Sequence, residues 1–337
     1  MIKIKAWRFY RARYLKLEEV ELPEPKEGEA LLRVLRCGVC QTDIDEFIAG
    51  PKIFNRIPFT PGHEFGGIVE KVGDPKYKYL EGKLVGVLPL VSCGVCNYCK
   101  IGLENLCEKR KYYGVIDYDG GFAEYAIVKT SNLFPVEDER LITLVEPLLV
   151  ALRAFNRAKE EPVVKKKTLV VGGGIIGLLT AFVFRHFGWD VSIVEERENR
   201  KKLALELGFK VEDTLLNLKD RSYPVVVDAA GEDPFLPYAL SNLFPKVAPG
   251  GMLILIGVYG EKVHFSPLEF LLKEAQLKTT VLYTQKEVKL LPKILPAFKN
   301  ISHKFISSAF PLEKLVENLI ELELHKDKYI KLVMVNK

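Results

Sequence analysis

The chain has 337 residues, 48% of them hydrophobic, and carries a net charge of +5 at pH 7. That length exceeds what one ordinary hydrophobic core supports and predicts two domains. Because the charges are scattered, they are typical of a solvated surface, and no nucleic-acid partner is predicted. The first residues lack an apolar core with a small-residue cleavage site, and the longest uncharged run, 168–184, contains four glycines. These features predict a cytoplasmic protein with no membrane partner.

From residue 1 to about 147 the chain consists of short β-type stretches broken by glycine and proline. The apolar runs at 30–35 and 65–69 are typical examples. This part is therefore predicted to be mostly β.

Dispersed side chains in this first part are candidate ligands of a catalytic metal ion. Cys37 and Cys40 lie in one predicted loop, His63 and Glu64 follow Pro-Gly in another, and Glu146 comes just before the second part of the chain. A catalytic zinc ion takes three or four protein ligands from distant segments and keeps one open position. Each residue alone also fits a structural role, since Cys37 fits a small buried thiol and a single histidine is more often structural.

Four cysteines form a C-x2-C-x2-C-x7-C run: Cys93, Cys96, Cys99 and Cys107. Thiolates at this spacing can surround one zinc ion in a tetrahedron without help from distant segments. Disulfides are the alternative, but the C-x2-C pairs would close very small rings, and nothing else indicates a secreted, disulfide-rich protein. The run predicts a structural zinc ion with all four positions filled.

After the charged stretch at 159–167 the pattern changes to apolar strands that alternate with helices. The predicted strands are 168–171, 190–194, 225–228 and 252–256, and the predicted helices are 175–187 and 200–207. This alternation predicts an α/β domain with a parallel sheet covered on both faces. Beyond about residue 284 we expect a helix at 312–324 and a last strand at 330–335.

A glycine-rich turn joins the first strand and helix of this second part. Gly172 permits the tight turn, Gly174 lets a pyrophosphate approach the backbone, and Gly177 lets the helix pack closely on the strand. Ile175 and Ile176 are the first residues of the predicted helix, and the dipole and free N–H groups at its N-terminus favour phosphate. The alternative is a turn that only packs a helix.

The end of the next predicted strand favours a dinucleotide as the ligand. Glu195 stands about 20 residues after the glycines, where a carboxylate accepts hydrogen bonds from a ribose diol and repels a 2′-phosphate. The sequence therefore predicts NAD, while Arg197 leaves NADP possible.

Taken together, these residues resemble the zinc-containing medium-chain alcohol dehydrogenase family over essentially the whole chain. The matching pieces, in the family's order, are Gly38-Val-Cys40-x-Thr42-Asp43, Gly62-His63-Glu64-x-x-Gly67, the four-cysteine run, 119–125, 145–148 and Gly172-x-Gly174-x-x-Gly177. The resemblance implies a GroES-like, mostly-β catalytic domain from 1–147 and 284–337, with a structural zinc lobe at 93–107. It implies a Rossmann dinucleotide-binding domain with a doubly wound parallel sheet at 148–283.

The resemblance also implies roles for single residues. Cys40 and His63 would bind the catalytic zinc ion, while Glu64 and Glu146 compete for the third protein position. Thr42 would accept the proton of the substrate hydroxyl.

One departure from the family's pattern concerns the proton relay. Asp45 stands where many relatives have a histidine that passes the proton to solvent, so the role of Asp45 in that relay is open.

The implied activity is reversible hydride transfer between a secondary alcohol and NAD, with two zinc ions per chain. Glu146 stands where many alcohol dehydrogenases have a second cysteine, which resembles the polyol, sugar and threonine dehydrogenases and predicts a polyol, sugar or sugar acid as the small-molecule substrate. L-Threonine and simple alcohols are alternatives. Two further readings are a non-catalytic zinc and nucleotide-binding relative and a zinc-independent reductase on the same scaffold.

The segment 277–282 is predicted to be an edge strand that pairs with its copy across a two-fold axis. Its backbone groups would otherwise stay unpaired at the edge of the sheet. The sequence therefore predicts a homodimer or homotetramer.

Overall fold

The computed structural model describes residues 1–231, 240–260, 262 and 266–336. Its strands are β1 Ile2–Arg11, β2 Tyr14–Leu22, β3 Glu29–Gly38, β4 Glu64–Val72, β5 Leu84–Val87, β6 Leu90–Val91, β7 Lys111–Tyr113, β8 Asp117–Tyr118, β9 Tyr125–Lys129, β10 Leu133–Pro135, β11 Lys167–Val171, β12 Asp190–Val194, β13 Lys210–Glu212, β14 Tyr223–Asp228, β15 Val247–Leu255, β16 Gln276–Thr279, β17 Ser308–Pro311 and β18 Leu332–Val335. Its α-helices are α1 Gln41–Ala49, α2 Asn97–Lys100, α3 Glu139–Ile142, α4 Val145–Ala158, α5 Ile175–His186, α6 Glu198–Glu206, α7 Leu240–Leu243, α8 Pro267–Leu271, α9 Gln285–Val288, α10 Leu291–Lys299 and α11 Leu315–Leu324.

The chain divides into two compact units. The first consists of Met1–Glu146 and Leu295–Lys337, and the second of Pro147–Ile294. The first unit is therefore built from both ends of the chain, with the second unit inserted between them.

The first unit is mostly β, as the sequence predicts. Its main sheet runs in the order β10-β5-β4-β3-β18-β17, and β9 also pairs with β3. β3 lies between β4 and β18, and alternate side chains such as Ala30, Leu32 and Val34 are completely buried. This alternation is typical of a strand with one face against a core.

The last strand of the chain completes this sheet. β18 pairs antiparallel with β3, so that Val333 lies opposite Gly38 and Met334 opposite Cys37. A second connection comes from Trp7, whose buried Nε1 donates a hydrogen bond of 2.7 Å to the carbonyl of Leu312. The C-terminal segment is thus part of the sheet from which the loop of Cys40 leaves.

The second unit contains a six-stranded sheet in the order β13-β12-β11-β14-β15-β16, and each of its strand pairs is parallel, as predicted. Its central strands are apolar on both faces. Leu169, Val226 and Leu253 are completely buried in one core cluster, which is typical of a parallel sheet inside an α/β domain.

Several predicted elements differ at their ends; for example, β15 begins at Val247, five residues before the predicted strand at 252–256. The predicted strand at 277–282 is shorter, because β16 ends at Thr279 and Leu282 adopts a φ of 54°, which is outside the extended region. The predicted helix at 312–324 begins with a 3-10 turn at Leu312–Lys314, and its α-helical part is Leu315–Leu324.

In the part of the chain that the structure describes, every helix is too short or too polar to cross a membrane.

Candidate functional site

The first part of the site lies at the start of α1. Cys40 precedes the helix, and its backbone N–H donates to Oδ2 of the buried Asp43 over 2.9 Å. A carboxylate at the third helical position fixes the entry of the chain and so fixes the Cys40 side chain. The Thr42 hydroxyl oxygen lies 3.8 Å from Cys40 Sγ, which places a proton acceptor beside the thiol.

His63 and Glu64 reach the same point from the start of β4. The turn before them requires glycine, because Gly62 has a φ of 96° and a Cβ there would lie 2.7 Å from Cys37 Sγ. Ligand atoms of Cys40, His63 and Glu64 all lie within 4.8 Å of one another. The structure therefore brings together a thiol, an imidazole and a carboxylate from two distant segments.

Asp43 also faces the imidazole. Its Oδ1 lies 3.7 Å from His63 Nδ1, and neither of these buried atoms has a hydrogen-bond partner among the described residues. Burial by itself lowers the pKa of His63, but the negative charges of Asp43 and Cys40 outweigh it, so the pKa of His63 lies well above its ordinary value. A carboxylate in this position orients the ring and leaves Nε2 as the other donor atom.

Glu64 is held by a lysine from the end of the chain. Nζ of Lys331 donates to both carboxylate oxygens, over 2.7 and 2.6 Å, and also to the carbonyl of Val39 over 3.1 Å. Burial is the largest single effect and lowers the pKa of Lys331, but the charges of Glu64, Cys40 and Glu146, together with the hydrogen bond to Glu64, raise it above the ordinary value. This lysine stays charged and compensates a buried carboxylate.

Glu146 lies near this group without belonging to the three residues within 4.8 Å. Its Oε1 accepts a hydrogen bond of 2.7 Å from the Tyr112 hydroxyl, whose ring lies 5.8 Å from that of His63. Burial raises the pKa of Glu146, while the charge of His63 opposes that shift. Glu146 is therefore a second buried carboxylate beside the imidazole.

Asp45 is exposed on the surface of α1. Its Oδ1 accepts a hydrogen bond of 2.7 Å from Gln41 Nε2, one turn earlier. Asp45 is not among the three side chains whose ligand atoms lie within 4.8 Å of one another.

The four-cysteine run folds into a compact cluster. Ligand atoms of Cys93, Cys96, Cys99 and Cys107 lie within 4.8 Å of one another, and all four are free thiols. Cys99 Sγ lies 3.5 Å from Cys96 Sγ and 3.9 Å from Cys93 Sγ. A tetrahedron with zinc–sulfur bonds of about 2.3 Å has edges of about 3.8 Å, so these separations suit one zinc ion.

Backbone groups prepare this cluster for a cation. N–H groups of Val95 and Cys96 stabilise the Cys93 thiolate and lower its pKa to about 6. Burial raises the pKa of Cys99 to about 12, so this thiol must lose its proton when a metal ion binds.

In the second unit, the glycine turn has the geometry that its sequence predicts. Gly172 has a φ of 100°, and a Cβ on Gly177 would lie 1.8 Å from the Gly172 carbonyl oxygen. The nearest atom to a Cβ on Gly174 is Arg200 Nη1, at 3.5 Å. Ile175 and Ile176 follow as the first residues of α5. Gly172 is thus required for its positive φ and Gly177 for close packing, whereas the position of Gly174 leaves room beside the backbone.

Glu195 is completely buried and turns towards this loop. Its Oε2 accepts from the backbone N–H of Gly173 over 2.8 Å, and its Oε1 accepts from the N–H of Arg197 over 2.9 Å. Arg200 Nη1 lies 3.9 Å from Oε2. From the end of β12, this carboxylate therefore fixes the glycine turn that follows β11.

Four residues in these sites were not assigned by sequence reasoning: Tyr112, Lys331, Arg200 and, as a partner of His63, Asp43. Lys331 is 267 residues from Glu64, and no local pattern marks it. Only Asp43 had a signal, because it stands three residues after Cys40, where a carboxylate caps a helix.

Several known proteins are similar in sequence to this chain. Residues 26–138 match the family model of the alcohol dehydrogenase GroES-like domain. D-Altritol 5-dehydrogenase of Agrobacterium fabrum (strain C58) is 30% identical over 311 residues, which cover 89% of this chain and 90% of that protein. L-Threonine 3-dehydrogenase of Pyrococcus furiosus is 33% identical over 265 residues, which cover 73% of each chain.

The fold is also found in a solved structure. The crystal structure of 2R,3R-butanediol dehydrogenase from Bacillus subtilis matches with a TM-score of 0.85 and 24% sequence identity, over 99% of this chain and 100% of the other. The match to D-altritol 5-dehydrogenase covers 89% of this chain, so it includes residues of both units. The chain belongs to the zinc-containing medium-chain alcohol dehydrogenase family.

Proposed function

We propose that the protein is a zinc-dependent oxidoreductase that transfers a hydride between a secondary alcohol and NAD. The observation that carries this proposal is the grouping of Cys40, His63 and Glu64 in the first unit of a family member. A glycine turn suited to a pyrophosphate in the second unit supports the nicotinamide cofactor.

The donor set of the first unit suits a catalytic zinc ion. A thiolate, an imidazole and a carboxylate are ligands that zinc accepts, and three protein ligands leave a position open. Asp43 beside Nδ1 of His63 would orient the ring so that Nε2 faces the ion. When bound, the ion would act as a Lewis acid that makes the substrate alkoxide accessible near neutral pH.

Either Glu64 or Glu146 supplies the third protein ligand. Glu64 is closer to the thiol and imidazole, but Lys331 occupies both of its oxygens. Glu146 has one oxygen engaged by Tyr112. Lys331 acts here as a positioning residue, because its hold on Glu64 decides how freely that carboxylate reaches the ion.

Thr42 would take the proton of the substrate hydroxyl, since its own hydroxyl lies beside Cys40 Sγ. Asp45, exposed one turn further along α1, would pass the proton to solvent. The four-cysteine cluster would hold a second zinc ion whose four positions are filled, so this ion stabilises its lobe and takes no part in turnover.

For the substrate we propose a polyol, sugar or sugar acid that carries a secondary alcohol. An oxygen-containing ligand set leaves the zinc ion more electrophilic than two thiolates do, and vicinal hydroxyl groups can bind near it where ethanol cannot. The match to D-altritol 5-dehydrogenase supports a polyol. The match to L-threonine 3-dehydrogenase supports L-threonine as the second candidate, which also carries a polar group beside a secondary alcohol.

We also propose a cytoplasmic location. The described structure contains six free cysteines, and thiolate metal ligands persist in a reducing compartment.

The first prediction concerns the substrate. With zinc-replete protein and NAD, we expect kcat/KM for a member of a panel of sorbitol, altritol, glucose and gulonate to exceed that for ethanol or butanol by at least about tenfold. Production of the reduced nicotinamide measures the rate. Simple alcohols that win by about tenfold would contradict the proposed class, and L-threonine as the best substrate would select the second candidate.

The second prediction concerns the cofactor. We expect NAD to be used more efficiently than NADP, because a 2′-phosphate would meet the fixed carboxylate of Glu195. Glu195→Gln removes this charge and should lower the ratio of kcat/KM with NAD to kcat/KM with NADP by about tenfold. Glu196→Gln, which removes the neighbouring exposed carboxylate, is the control and should leave the ratio unchanged. If the wild-type protein prefers NADP, Arg197 and not Glu195 determines which of the two cofactors is used.

The third prediction concerns assembly. We propose a homodimer or homotetramer that pairs β16, the last strand in the order of the parallel sheet, with its copy. Leu277 on this strand is 40% exposed. Leu277→Lys should shift light scattering towards a monomer, whereas Leu216→Lys at another exposed leucine of the same unit should not. A wild-type monomer at micromolar concentration would refute the assembly.

A further inference from the structure

A cavity of about 290 Å³ lies within the second unit, between the C-terminal half of α4 and the segment around α9. Its lining consists of Arg153, Asn156, Lys159, Glu160, Lys286 and Leu290. Three of these side chains carry a positive charge and one a negative charge. The carboxylate of Glu160 is already engaged, at 2.6 Å from Arg157 Nη1 and 3.4 Å from Lys278 Nζ. The cavity therefore presents an excess of positive charge.

Arg153 is the buried member of this lining. It is 6% exposed, and its Nε has no hydrogen-bond partner among the described residues. Its Nη1 lies 3.7 Å from Oε1 of Glu287, which is too far for a hydrogen bond. A guanidinium has five N–H donors, and burying such a group without partners is costly.

Glu287 compensates this charge only in part. It is completely buried, and its Oε2 accepts from both the backbone N–H and the hydroxyl of Thr284, over 2.7 and 2.8 Å. Its Oε1 accepts from Asn156 Nδ2. Because this carboxylate is shared among three other donors, the charge of Arg153 remains available to a ligand in the cavity.

We propose that this cavity binds a small oxyanion through a phosphate or carboxylate group. Either group presents two oxygens on one atom, which match the fork of a guanidinium. Arg153 would bind the anion at the buried end. Lys286, exposed at the rim, would add a second charge, whereas Lys159 Nζ already lies over the Phe155 ring at 4.7 Å from its centre. Neither hydride transfer nor the glycine turn uses these residues.

Isothermal titration of the zinc-replete protein tests the proposal, with inorganic phosphate in one arm and succinate in the other. Saturating NAD is present so that the glycine turn is filled, and chloride keeps the ionic strength constant. We expect one saturable site per chain for at least one anion. Phosphate alone would identify a phosphate site, and succinate alone a carboxylate site.

Variants assign the site to this cavity. Arg153→Gln should weaken the affinity by at least about tenfold, because it removes the forked donor, and Lys286→Gln by about threefold. Lys289→Gln removes one exposed charge from the same segment outside the lining and should change nothing. If Arg153→Gln does not fold, the affinities of Lys286→Gln and Lys289→Gln decide whether the anion binds in this cavity. No saturable binding of either anion, unchanged affinity in Arg153→Gln, or equal affinities of the two lysine variants would overturn the proposal.

Discussion

The first unit depends on one buried ion pair, between Lys331 and Glu64. Both side chains are 2% exposed, and the ammonium lies 2.6 Å from the nearer carboxylate oxygen. Removing one partner of such a pair leaves a buried charge uncompensated, at a cost of about 3–5 kcal/mol. The pair also joins the start of β4 to the residue before β18, and the ammonium reaches the carbonyl of Val39 next to Cys40. The same interaction therefore attaches the last strand to the sheet and holds the metal-ligating segments together.

A carboxylate at this depth requires space as well as charge compensation. A Cβ on Gly38 would lie 2.3 Å from Glu64 Oε2, so the strand opposite Glu64 must pass without a side chain at that point. Close packing also requires Gly62, because a Cβ there would lie 2.7 Å from Cys37 Sγ and 2.9 Å from the Phe122 ring. The three candidate ligands therefore have little conformational freedom. They are held by the close approach of the backbone at the two glycines, by the ion pair with Lys331 and by the Asp43 carboxylate.

The sequence predicted the features that are local in the chain. The four-cysteine cluster and the glycine turn each lie within fifteen residues, so their spacing alone fixes which side chains meet. The parallel sheet was also predicted, because its strands are apolar runs with helices between them. The partner of Glu64 was not, since Lys331 reaches it only through the pairing of β18 with β3.

The same reasoning explains the other differences. Glu195 was predicted to face a ribose, and the structure adds hydrogen bonds from Gly173 and Arg197 that depend on the exact turn of the backbone. Arg153 is one of two arginines in α4, and only the fold reveals that its guanidinium is buried beside a cavity. Most of the features that the sequence pattern did not predict are therefore interactions between residues that lie far apart in the chain.

The most direct test of the account compares the two proposed zinc sites, one open and one closed. Cys40→Ser should abolish turnover and lose one zinc ion while the melting temperature changes little, because its site adds reactivity to a sheet that Lys331 and Glu64 already hold. Cys99→Ser should lower the melting temperature, because its site stabilises the lobe. Elemental analysis, thermal unfolding and the rate of hydride transfer of both variants give the answer. Full activity of Cys40→Ser, or fewer than two zinc ions in metal-replete wild-type protein, would contradict the account.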